Sequence, residues 1–242
     1  MCDDQNKAIK IIYVIIGEKF SLDVKTMIAK RDKADRTVLH DAALNGHKEL
    51  CLGLLNINSD LIYAKDRDGR NPLYDAVEGK CKGKVLCKQL LSAYLKKDRP
   101  NDDLMDRSGL NPLHVAASQG NVQILEELLS RHKIRQKYLS RGDFLAQTAL
   151  HKAVSNGYID TVEILLKHGA HPLRERDRDG RTALHYAVRV KTEDKMELVR
   201  KILQTAENIL ASGSAFSITT DWSVTFSLQA KKRRIWLDGK YN

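Results

Sequence analysis

Residues 111–129 read NPLHVAASQGNVQILEELL, and their chemistry specifies two short helices joined by a tight turn. Asn111 is a good N-cap, because its side-chain oxygen accepts from the free amides of a first helical turn. Pro112 follows at a helical position where a missing N–H costs nothing. Ala116 and Ala117 are small enough to let a neighbouring helix come close. Gly120 suits the left-handed residue that ends a helix. Leu128 and Leu129 then fall on the apolar face of a second helix.

The pattern recurs. Its opening phrase appears as Thr37-Val38-Leu39-His40, Asn71-Pro72-Leu73-Tyr74, Thr148-Ala149-Leu150-His151 and Thr182-Ala183-Leu184-His185. Counting the copy at Asn111, successive phrases start 34, 40, 37 and 34 residues apart. Small pairs follow at Ala42-Ala43, Ala76-Val77, Ala153-Val154 and Ala187-Val188, and leucine pairs at Leu54-Leu55, Leu90-Leu91 and Leu165-Leu166. Gly46 and Gly157 match Gly120. Before three phrases stands a turn: Asp66-Arg67-Asp68-Gly69-Arg70, Asp106-Arg107-Ser108-Gly109-Leu110 and Asp177-Arg178-Asp179-Gly180-Arg181. Each places a glycine where a tight hairpin needs positive φ.

Five matched copies with matched turns resemble the ankyrin repeat, over residues 32–205. The resemblance implies an all-α solenoid of helix–turn–helix units with projecting β-hairpin fingers. There are departures. Tyr74 stands where the repeat has His. Asp35 and Ala146 occupy the finger glycine position; Asp tolerates positive φ, Ala does so poorly, which predicts a reshaped finger before Thr148. The long intervals place extra residues at Lys80–Gly83, Lys97–Asp103 and Lys133–Tyr138.

Residues 5–31 read as a degenerate N-terminal capping repeat, with Ile11–Ile16 and Val24–Ile28 as its helices and Gly17 between them. Residues 206–242 form a tail of another kind. From Ala215 to Ala230 apolar and polar residues alternate strictly, the pattern of a strand or hairpin with one covered face. The basic run Lys231–Arg234 follows.

The formal net charge is +10, with 41 Lys and Arg against 31 Asp and Glu, and the excess is thinly spread. Acids interleave with the cations in the fingers, and no aromatic stacking platform is legible, so nucleic acid is disfavoured. The longest apolar run, Ile11–Ile16, is too short to span a bilayer. The four cysteines make no CxxC pair. Cys51 sits in an apolar helix pattern and reads as a core filler, while Cys81 and Cys87 flank a lysine-rich stretch and read as exposed thiols. The expected compartment is the cytoplasm or nucleus.

His40, His114, His151 and His185 cannot share a metal. Equivalent positions in stacked repeats lie about 8–10 Å apart, whereas zinc ligands must lie about 2 Å from one ion. Each His is expected to bond locally and hold its repeat. No nucleophile–base pair, phosphate loop or metal motif is present, so neither a catalytic residue nor a cofactor is expected.

The resemblance implies binding through finger tips and exposed positions of the first helices. Those positions are Arg67, Asp68, Arg70, Asp75 and Glu78 in the second repeat, with Leu110 and Val115 in the third. The fourth offers Phe144, Leu145 and Lys152, and the fifth Arg178, Arg181, Tyr186 and Arg189. An apolar centre with an Arg/Tyr rim suits a protein interface. The expectation is a monomeric protein–protein interaction module whose partner is an acidic, partly apolar protein segment. The alternatives are a regulatory ankyrin region of a larger channel or enzyme, or a pathogen effector.

Overall fold

The structure, a computed structural model, describes residues 21–79, 84–96, 103–191 and 195–211. Expectations for Ile11–Gly17, Lys80–Gly83, most of Lys97–Asp103, Cys2, Cys81 and the alternating tail fall outside those residues. The chain divides into two units, 1–206 and 207–242. Of the second, only residues 207–211, the end of a helix, are described.

Helix α1 spans Ser21–Ile28. Helix pairs follow: α2 Val38–Leu44 with α3 Lys48–Ile57, and α4 Pro72–Glu78 with α5 Lys84–Lys96. Next come α6 Pro112–Ser118 with α7 Val122–Ser130. An added helix, α8 His132–Tyr138, precedes α9 Ala149–Ser155 with α10 Ile159–Lys167. Last are α11 Ala183–Ala187 and α12 Lys195–Ala211. A 3-10 turn, Ser59–Tyr63, sits between α3 and α5.

Each first helix packs on the next, α2 on α4, α4 on α6, α6 on α9 and α9 on α11. The small pairs make this approach possible: Ala42, Ala43, Ala116, Ala117, Ala153 and Val154 are all buried. Second helices form a layer behind, and the leucine pairs of α3, α5, α7 and α10 fill the space between the layers. Cys51 is buried among them as expected. Cys87 is buried too, contrary to its reading as an exposed thiol, because it lies one turn before Leu90 and Leu91 on the apolar face of α5.

The residues at Lys133–Tyr138 form α8, which buries Ile134 and Tyr138. The Tyr138 hydroxyl accepts from the Leu104 amide at 3.0 Å and donates to Asp103 at 2.9 Å, tying the added helix to the approach of the third finger.

The fingers are tight turns, and no β-strand forms among the described residues. One aspartate organises each finger. Asp32, Asp66, Asp106, Asp143 and Asp177 use a side-chain oxygen to accept the amides two and four residues on, at 2.8–2.9 Å. Their own amides donate to the carbonyl four residues on, each at 2.9 Å. Neighbouring fingers are joined by one backbone bond: Arg67 to Ala34, Arg107 to Asp68, Phe144 to Ser108 and Arg178 to Leu145. With one bond per step there is no ladder to extend.

The finger before Thr148 is not reshaped. Ala146 adopts φ 57°, much as Asp35 adopts 61° and Gly109 77°. The Asp143 side chain holds both amides that flank Ala146, and the alanine accepts a left-handed conformation that an L residue disfavours by about 1–2 kcal/mol.

Candidate partner-binding face

The cap histidines couple the fingers to the helices. In His114 the ring Nδ1 accepts from the Asn111 amide at 3.2 Å, so Nε2 carries the proton and donates to the carbonyl of Gln147, in the next finger, at 2.8 Å. His40 reaches the Arg70 carbonyl and His151 the Arg181 carbonyl in the same way. Burial dominates the three rings and holds them below the usual histidine range, His114 at about 4. Tyr74 keeps the bridge by another route: its hydroxyl donates to Asp106, the organising residue of the next finger, at 3.0 Å. Each link therefore joins one repeat to the following finger, beyond the local bond the sequence suggests.

The tips carry the residues that differ. The residue after the organising aspartate is Lys33, Arg67, Arg107, Phe144 and Arg178 in turn. Four are cations and one is an aromatic. Phe144 is 61% exposed and Leu145 beside it 52% exposed. Neither side chain tucks into its own finger. A Cβ on Gly109 would stand 2.8 Å from the Phe144 ring, so the bare glycine of the third finger leaves room for it.

Behind that tip lies a polar chain across two repeats. Lys152 of α9 forms an ion pair with Asp143 at 2.8 Å and donates to the Gln147 side chain at 2.7 Å. Gln147 donates to the Tyr186 hydroxyl at 2.7 Å, and Tyr186 donates to Asp177 at 2.6 Å. Tyr186 also stands edge-on to the His151 ring, 5.4 Å between centroids. Burial pushes the Asp143 carboxyl up; the hydrogen bonds from Lys152 and from the Gln147 and Leu145 amides more than reverse this and hold it below the usual range.

The nine expected contact residues are thus unequal. Phe144, Leu145, Arg178 and Arg189 are exposed, and Leu110, Lys152, Arg181 and Tyr186 are half-buried. Lys152 is engaged by Asp143, and Arg181 by Asp179 at 2.8 Å. Val115, read as a surface position, is only 7% exposed and belongs to the core, because α4 and α9 close on either side of α6. Asp75 at the same position of α4 is 5% exposed and also departs from its surface reading. The organising aspartates, and not the glycines alone, define each finger. Their signal was available, since they repeat at the same 34, 40, 37 and 34 residue spacing as the phrases.

Among the described residues no cluster of His, Cys, Asp and Glu could hold a metal ion, and no helix is long and apolar enough to cross a membrane.

A family model described as ankyrin repeats (3 copies) matches residues 80–175 and 137–211. The chain belongs to the ankyrin-repeat family. A probable 26S proteasome regulatory subunit p28 of Saccharomyces cerevisiae is 30% identical over 171 residues, 70% of this chain and 72% of that protein. The nuclear factor NF-kappa-B p105 subunit of Gallus gallus is 32% identical over 164 residues. That match covers 67% of this chain but 16% of p105. An alpha-latrotoxin of Latrodectus hesperus is 39% identical over 84 residues, 35% of this chain and 6% of the toxin. The chain therefore spans a small part of the length of p105 and the toxin. Ankyrin repeats are generally protein–protein interaction modules, and none of these comparisons indicates a catalytic family.

Proposed function

We propose that this chain is an adaptor or regulator that binds a segment of another protein across its last three fingers and their first helices. Phe144 and Leu145 are the anchors, with Arg178 and Arg189 as the charged rim. The observation that carries this reading is the exchange at one tip: where four fingers present a cation, the fourth presents an exposed Phe and Leu. Exposed aromatic and aliphatic side chains on a rigid turn suit an interface centre. The partner segment is apolar where it meets Phe144 and acidic where it meets the arginines of the fifth repeat. The protein acts as a monomer, in the cytoplasm or nucleus.

The relatives support a regulatory role, since p28 is named a regulatory subunit and p105 a nuclear-factor subunit. The small share of p105 that is matched favours a second reading, in which the same face serves a larger protein. To test the face, a partner is identified by affinity purification and its affinity measured. Phe144→Ala should weaken binding by about 2 kcal/mol or more, roughly 30-fold. Arg178→Glu with Arg189→Glu should slow association and flatten its salt dependence. Binding that survives all three changes but is lost on Lys88→Glu, on the exposed side of α5, would place the interface elsewhere.

A further inference from the structure

The row of second helices has a gap at its first step. α5 packs on α7 and α7 on α10, but α3 does not close on α5 in the same way. The 3-10 turn Ser59–Tyr63 props the two apart near the C-terminal end of α5. There the Tyr63 hydroxyl donates to the Tyr94 carbonyl at 2.7 Å, and the two rings lie 5.2 Å apart. Between α3, the turn and α5 runs a groove of about 700 Å³.

α5 lines it with Val85, Lys88, Gln89, Ser92, Ala93 and Lys96. That spacing is one stripe of a helix, about three turns or 16 Å long. It runs beside the core stripe of Cys87, Leu90, Leu91 and Tyr94. From α3, Leu52 and Leu55 add to the apolar floor. The groove is open to a partner: Val85 is 55% exposed, and Lys88 and Lys96 stand exposed on its rim. The two lysines are about 12 Å apart along the axis. Neither has an ion-pair partner among the described residues, and the lining holds no acid. Lys201 of α12, by contrast, pairs with Glu163 of α10.

We propose that this groove is a second docking site, behind the first helices, for an amphipathic helix of a partner protein with acids along one edge. A trough between two helices suits the apolar stripe of a third. Acids about two turns apart on that helix meet Lys88 and Lys96 and set its direction of approach. The chain's own basic run, Lys231–Arg234, has the wrong sign for this rim.

The test titrates a hydrocarbon-stapled helical peptide of about fourteen residues into the full isotope-labelled chain. The peptide carries a leucine stripe and, at its edge, a pair of glutamates about two turns apart. Saturable shifts are expected at the amides of residues 52–59 and 85–96, with a Kd of about 100 μM. The glutamine version should bind about tenfold more weakly. Lys88→Glu with Lys96→Glu changes only exposed side chains, and should reject the glutamate peptide and accept a lysine version. The site stands apart from the finger-tip face, so Phe144→Ala should leave peptide binding unchanged. Overturning results are no saturable shift up to about 2 mM, equal binding of the three peptides, or binding abolished by Phe144→Ala. Two outcomes without peptide also overturn it. If Val85→Glu dissociates a dimer of the parent, the groove belongs to a second copy. If Val85→Glu shifts the amides of residues 212–242, it belongs to the chain's own tail.

Discussion

In the second repeat the finger runs Asp66-Arg67-Asp68-Gly69-Arg70 and α4 carries Asp75; in the fourth it runs Asp143-Phe144-Leu145-Ala146-Gln147 and α9 carries Lys152. The backbone is the same in both: one aspartate accepts the same two amides, and one residue takes a positive φ. The charges are handled differently. The fourth repeat neutralises its floor lysine within the repeat and leaves an apolar tip. The second keeps charge at the tip and leaves a buried floor carboxyl whose Oδ2 has no hydrogen-bond partner. A repeat scaffold fixes where a side chain stands and says little about whether its charge is satisfied. Charge left unsatisfied, and apolar surface left bare, mark the positions that stability alone does not explain.

The largest expected effect breaks that contrast from the second repeat. Asp75 has its carboxyl raised to about 7, by burial first, with Asp66 and Glu78 adding to it and Arg36 and Arg70 opposing. The folded state therefore holds a proton that the unfolded chain releases above its ordinary value of 3.8. Stability from this group is present below that value and is lost as pH rises toward 7. Asp75→Asn should then stabilise the protein by up to about 4 kcal/mol above pH 7, the gain shrinking toward zero near pH 4. Chemical denaturation of both proteins across that range checks it. A gain that does not depend on pH would mean Asp75 is partnered in solution.

His114 runs the other way and sharpens the comparison, because it lies in the repeat between the two. Burial depresses its ring to about 4 from a usual 6.5. The unfolded chain binds the proton first, so its contribution is intact above 6.5 and is lost as pH falls toward 4. The loss is about 3 kcal/mol in total. Measured in the Asp75→Asn background, stability should fall over that window. His114→Gln, destabilised overall, should fall less steeply. Parallel curves would assign the acid sensitivity to His40 and His151.

Most of the scaffold was legible in the residues themselves. Caps, prolines, small pairs and leucine pairs act through their own turn or helix face, so Asn111 or Leu128 can be read without knowing its neighbours. The face was legible only in part. Whether Val115 and Asp75 reach the surface depends on how closely α2, α4, α6 and α9 pack, and Lys152 is engaged only because the fourth finger brings Asp143 to it. The Cys87 reading failed for a related reason: a lysine-rich flank suggested exposure, while helical phase put the thiol on the inner face. Phe144 and Leu145, by contrast, stand in the open where their place at the finger tip puts them, since a four-residue turn has no interior.

The smallest effect concerns the one finger where an alanine does a glycine's work. Ala146 sits at φ 57°, and its backbone passes so close to Gly142 that a Cβ there would stand 2.6 Å from the Ala146 carbonyl carbon. The Asp143 carboxylate bonds the amides of Leu145 and Gln147, each at 2.9 Å, and these two bonds fix the turn with Ala146 between them. The left-handed conformation costs an alanine about 1–2 kcal/mol, and a glycine would recover this less about 0.5–1 kcal/mol of extra chain entropy. Ala146→Gly should therefore stabilise by about 0.5 kcal/mol, read as a small rise in denaturation midpoint. Because the organising bonds remain, Phe144 and Leu145 should keep their exposure, and partner affinity should not change. A lower midpoint would mean that the methyl group of Ala146 is itself part of the packing around the tip. An affinity change without a stability change would make the stiffness of this finger part of how it binds.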